Sequence, residues 1–133
     1  MRQLNEVNEQ SDETRILNVS KKLARAIIKS TQFQRYEKAC DSLGTDKEAQ
    51  RLLSDFRETQ EMLQLKQSWG GSSDNDFEHL EKMREQLLLN SILKEYFEAQ
   101  EDMVLMLKEL NIFISKKLGF DFANLTKPAG GCC

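Results

Sequence analysis

From Ser91 to Leu118 the residues Leu93, Tyr96, Gln100, Met103, Leu107, Leu110 and Ile114 recur at intervals of three and four, apolar at every position but Gln100. That period describes one face of an α-helix and conflicts with a strand, whose faces alternate every two residues. The run contains neither proline nor glycine, so nothing in it breaks a helix. At 1.5 Å per residue such a helix is about 40 Å long, more than a small domain is wide. Part of the seam is therefore expected to pack on another protein chain, with Tyr96, Met103, Leu107, Leu110 and Ile114 as the oligomer interface.

The rest of the chain obeys the same period. Ser11 or Asp12 can cap a helix carrying Ile16, Leu17, Leu23, Ala24, Ile27 and Ile28 on one stripe. Ser30-Thr31 interrupts it, and Phe33, Tyr36, Ala39, Cys40 and Leu43 predict a short second helix ending at Gly44, where a left-handed cap is easy. Thr45, with Glu48 three residues on, has the capping-box pattern and opens a long helix facing inward through Ala49, Leu52, Leu53, Phe56 and Leu63. Residues 68–75, with Gly70-Gly71, form a loop that implies a helical hairpin. Asp76 can then cap a helix using Phe77, Leu80, Met83, Leu87 and Leu88, Asn90-Ser91 marks a joint, and Gly119 closes the longest run. The expected fold is all-α, a helical hairpin bundle with a long C-terminal helix that oligomerises through helix packing. Residues 1–11 read as a flexible N-terminus, 12–119 as one helical domain and 120–133 as a C-terminal tail.

With 133 residues, a net charge of -3 and a pI near 5.3, the chain has room for one core and no positive field to gather a polyanion, so direct nucleic-acid binding is not expected. No apolar stretch approaches the roughly 18 residues that span a bilayer. The first residues lack an apolar leader segment. A cytoplasmic location without membrane contact is expected, and three cysteines, two of them adjacent, do not form a disulfide framework.

Enzyme chemistry finds little support. His79 is the sole histidine and sits among Glu78, Glu81 and Lys82, so it reads as a solvated side chain rather than a metal ligand. Carboxylates such as Glu58, Glu61, Glu98, Glu101 and Asp102 read as solvated helix faces, since a di-metal bundle site needs Glu-x-x-His pairs. Trp69 reads as either a closure of the core or an exposed anchor for a partner. Gln60, Gln64 and Gln67 form a polar stripe, solvated or hydrogen-bonding between helices. Cys40 falls on an apolar phase and reads as a small buried hydrophobe. Cys132 and Cys133 follow Gly130-Gly131 outside any periodic pattern. Three readings are open for them: an inert terminus, a redox or prenylation handle, or ligands for a soft metal or iron-sulfur cluster. A C-a-a-X prenylation box is absent, because Gly130 stands four from the end. A [4Fe-4S] cluster needs about four thiolates, so a second chain must contribute to one.

The helical positions Leu23-Ala24, Ile27, Ser30, Phe33, Tyr36 and Ala39, then Asp46 to Gln50, Leu52, Leu53 and Phe56, are similar to the YlbF/YmcA family of small bacterial regulators. Asn90, Leu93, Tyr96, Ala99-Gln100 and the ending Ile114-Ser115-x-x-Leu118-Gly119 continue the resemblance, which covers about residues 16–119. It implies a non-enzymatic regulator that forms dimers, tetramers or hetero-complexes with related helical subunits. It also implies a role in competence, sporulation and biofilm formation, through a complex adjusting messenger-RNA processing by RNase Y. Cysteines near the family's C-termini are associated with iron-sulfur clusters, so Cys132 and Cys133 become candidate ligands of a [4Fe-4S] cluster shared between chains. The competing reading is a structural homo-oligomeric adaptor without cofactor, whose long seam docks a partner protein.

Overall fold

The computed structural model describes residues 2–127, with side chains from residue 11 onward. Six helices follow one another: α1 (Arg2–Lys29), α2 (Thr31–Thr45), α3 (Lys47–Ser68), α4 (Asp74–Leu89), α5 (Ser91–Leu118) and the single turn α6 (Phe122–Leu125). No strand occurs among the described residues, so the all-α expectation holds.

The breaks lie close to where the sequence places them, but the capping residues differ. The first helix begins at Arg2, ahead of Ser11 and Asp12, because no glycine or proline stands between these positions to stop it. Ser30 caps α2 by accepting a hydrogen bond from the Phe33 amide. Gly44 is not left-handed, and α2 continues to Thr45. Asp46, rather than Thr45, caps α3: its Oδ1 accepts from the Ala49 amide at 2.8 Å, while its own amide donates to the Leu43 carbonyl. One extended residue thus ends α2 and starts α3, and no left-handed glycine is needed. Ser73, rather than Asp76, caps α4 in a capping box with Asp76 as its reciprocal partner. Asn90 caps α5, and Gly119 closes it with φ 81°, the left-handed conformation that glycine adopts without a Cβ penalty.

Helices α3 and α4 form the hairpin, and α2 and α5 make the broadest contact in the molecule. Thr31 faces Leu105 while Leu43 packs beside Leu93, so α2 runs antiparallel to α5. The core has two adjoining clusters. Ala49, Leu53, Leu87 and Leu93 join α3, α4 and α5, and Ala39, Tyr96 and Ala99 join α2 to α5. Alanines at 39, 49 and 99 let the helix backbones approach closely.

This core is small for the chain. Among the described residues eight hydrophobic side chains are buried, whereas twenty large apolar ones remain exposed. The fold therefore leaves helical surface without a partner in its own chain.

Candidate interaction surface

The α2–α5 contact fixes where covered surface ends. On α5, Glu95, Glu98 and Asp102 lie at intervals of three and four, one face of the helix, and Arg35 of α2 meets all three. Its Nε donates to Glu95 Oε1 at 2.7 Å, and its Nη2 to Glu95 Oε2 at 2.9 Å and Glu98 Oε2 at 3.3 Å. Its Nη1 donates to Asp102 Oδ2 at 2.6 Å. The bidentate bond to Glu95 raises the guanidinium pKa and holds the Glu95 carboxyl below its ordinary value. Beneath this fork, Tyr96 lies 6.0 Å from Tyr36 and 5.4 Å, edge-on, from Phe97, measured between ring centroids. The adjacent Cys40 thiol, burial and Tyr96 push the Tyr36 hydroxyl up to about 12.

Tyr96 is thus buried in its own chain, and the outward seam begins at Met103. Met103, Leu110 and Ile114 are half-buried, and Leu107 is 44% exposed. Around them Val104, Leu105, Ile112 and Phe113 are exposed, residues that a seam spaced by three and four passes over. Apolar residues thus extend beyond the seam on this half of α5, interleaved with Lys108, Glu109, Lys116 and Lys117. At its end a polar lock holds α6. Asn111 Oδ1 accepts from the Ala123 amide at 3.1 Å and the Ser115 hydroxyl at 3.3 Å, and Ser115 Oγ accepts from the Phe122 amide at 3.0 Å. This turn lies in the segment read as tail, and its signal was Asp121, which caps it through the Asn124 amide. It presents Phe120, Phe122 and Leu125 to solvent.

The second open face is α1. Among its described side chains none is buried, and Ile16, Leu17, Val19, Leu23 and Ile28 are exposed, with Ile27 half-buried. Among the described residues α1 touches α2 and no other helix. Apolar faces of this extent mark protein interaction sites.

Elsewhere the surface is less continuous. A cleft of about 520 Å³ opens between α3, α4 and α5, lined by Phe56, Leu80, Leu87 and Phe97 with Arg84 at its edge. Trp69 is 82% exposed at the hairpin tip and does not close the core. There Gly70, at φ 71°, turns the chain so that the Gly71 amide reaches the Lys66 carbonyl. Gln60, Gln64 and Gln67 are solvated, as is His79. Cys40 is half-buried against Tyr96 and its neighbours. Cys132 and Cys133 lie outside the described residues. Among the described residues no group of three His, Cys, Asp or Glu side chains could hold a metal, and no helix is long and apolar enough to cross a membrane.

A small all-α protein with two open helical faces is the class these features define. The family model described as control of competence regulator ComK, YlbF/YmcA, matches residues 16–119, and the chain belongs to that family. Among its relatives, a UPF0342 protein of Halothermothrix orenii is 29% identical over 96 residues, covering 71% of this chain and 81% of the relative. A UPF0342 protein of Bacillus velezensis is 28% identical over 97 residues, covering 72% and 84%. The fold is similar to that of Bacillus subtilis RicA, seen in a crystal structure in complex with RicF, with TM-score 0.65 and 20% identity over 80% of this chain and 95% of that one.

Proposed function

We propose that this chain is a non-enzymatic regulatory subunit that works by assembly with helical subunits, copies of itself or relatives, in a complex that adjusts RNase Y-dependent messenger-RNA processing. Competence, sporulation and biofilm formation are its outputs. The observation that carries the reading is the pair of uncovered apolar faces on α1 and the distal half of α5, which an isolated monomer has no means to bury. Membership of a family of competence regulators supports it, as does the crystallisation of a protein of this fold, RicA, with RicF.

The family resemblance adds a [4Fe-4S] cluster shared between chains, with Cys132 and Cys133 as thiolate donors. A four-thiolate cluster bound by these two cysteines would take its remaining donors from other chains.

Transcript 5′-end mapping tests the reading in a strain lacking this chain. Wild-type protein restores the RNase Y-dependent ends and Leu107→Asp does not. Identical transcript ends with and without the chain would refute it.

A further inference from the structure

We propose that the outer face of α1 binds the phosphate backbone of single-stranded RNA without regard to its sequence. The inference goes beyond assembly, and it rests on the proposed function only in taking RNA rather than DNA as the strand.

Arg15, Asn18, Lys22, Arg25 and Lys29 follow one another at intervals of three and four, one face of a helix, with Lys21 beside them. All six are exposed, and residues 14–29 include no Asp or Glu. Arg15 meets Asp12 at 3.8 Å, and the other four cations make no ion pair among the described residues. Elsewhere Arg35, Arg51, Lys66, Lys82, Arg84 and Lys94 are held by carboxylates. Lys116 and Lys117 occupy the last turn of α5, where they offset the helix dipole. The chain as a whole is -3, so apart from the five cations of α1 it carries -8. The whole-chain charge, which predicts no contact with a polyanion, therefore averages over a segregated distribution. A stripe of one sign along a helix is the electrostatic footprint of nucleic-acid binding.

The direction of the stripe chooses the occupant. At about 100° per residue it lies roughly opposite the apolar face of Ile16, Leu23 and Ile27. A lipid surface would bury that apolar face and turn the cations to water, whereas a protein partner on the same face leaves the stripe pointing outward. Ile27 is half-buried, and α1 touches α2 alone among the described residues, so the body of the chain also lies on the apolar side and clear of the stripe. From Arg15 to Lys29 the stripe is about 21 Å long, a straight ridge that a flexible single strand can follow, setting its phosphates against the five cations. No Phe, Tyr or Trp precedes Phe33, so α1 has no ring to stack on a base, and contacts to the backbone alone carry no sequence information.

Fluorescence anisotropy with a labelled oligouridine of about 20 nucleotides tests the proposal on the full chain. Wild type should bind at about 50 mM salt, and log K should fall with log salt at a slope of about -3.5, five contacts at about -0.7 each. Lys22→Glu with Arg25→Glu should weaken binding about a hundredfold and bring the slope to about -2. Lys22→Gln with Arg25→Gln, which keeps α1 free of new acids, should weaken it about tenfold with the same slope, and Lys22→Arg with Arg25→Lys should bind as wild type does. Lys82→Glu with Arg84→Glu changes the net charge equally on α4 and should cost only a few-fold. Wild type that leaves the oligouridine free would overturn the proposal, as would stripe variants that bind as tightly as wild type. Equal losses from the α4 pair would overturn it too, and so would binding to phosphatidylglycerol vesicles in place of RNA. Light scattering on the same samples reads assembly separately, so either conclusion can fail without the other.

Discussion

Leu107 is 44% exposed on its own chain and lies on the uncovered seam between Met103 and Leu110, so Leu107→Asp separates folding from assembly. Full burial of a leucine contributes about 1.5–3 kcal/mol, and the part still exposed here corresponds to about 1 kcal/mol released on docking. An unpaired carboxylate in the same place adds a desolvation cost of at least about 2 kcal/mol. The sum is about 3 kcal/mol per contact and twice that across a two-fold interface, or roughly a ten-thousandfold loss of association. Within the monomer the change costs little: about 0.5 kcal/mol of helix propensity and a part of one leucine's contacts. Light scattering should report a monomer at concentrations where wild type is assembled. Urea unfolding followed by circular dichroism should still show a cooperative transition. A variant that keeps the wild-type mass refutes the placement of Leu107 in an interface. One that loses cooperative unfolding places it in the core instead.

Leu93→Ala should act in the opposite sense: Leu93 is fully buried between α3, α4 and α5, and its truncation should cost about 2–5 kcal/mol of unfolding free energy in urea titration at any protein concentration. The fold should also lose stability in acid. Arg35 lowers the Glu95 pKa and the Ser73 amide lowers that of Asp76, so their stabilisation is present above the unfolded carboxylate range of about 4 and disappears as pH falls through the folded values. Arg35→Met should flatten the part of that decline due to Glu95 in thermal melts between pH 6 and pH 3, and an unchanged acid limb would show that the fork contributes nothing. Cys132→Ser with Cys133→Ser should abolish iron, sulfide and absorbance near 400 nm in anaerobically purified complex while leaving its mass unchanged. Full iron content in that variant would exclude both as ligands.

The helix-to-helix architecture was legible because its punctuation is local. Ser30, Asn90 and Gly119 each act through their own φ and side chain within four residues. Capping was less so: Thr45 and Asp46 are both competent caps, and the choice depends on α2 continuing one residue past Gly44 to Thr45. The seam was legible as a period but not as a partition. Spacing alone treats Tyr96 and Leu107 alike, whereas the length of α2 covers the first and leaves the second exposed. Arg35 escaped notice because its partners lie 60 to 67 positions away, beyond any local pattern. The apolar residues off the seam, Leu105, Ile112 and Phe113, carried a signal in composition rather than in period.

Two kinds of stability therefore coexist in one chain. The α2–α5 pair and the hairpin form a core whose energy is independent of concentration. The first helix has no described side chain in that core and touches only α2 among the described residues, so little tertiary packing supports it. In the proposed assembly, a partner that covers the apolar face of α1 would raise its stability by mass action and link its order to binding. A subunit that assembled in this way would respond to the abundance of its partners through the helicity and burial of its own first helix. Hydrogen exchange resolves the two: α1 amides should gain protection with rising protein concentration, while those of α2 and the proximal half of α5 stay protected throughout.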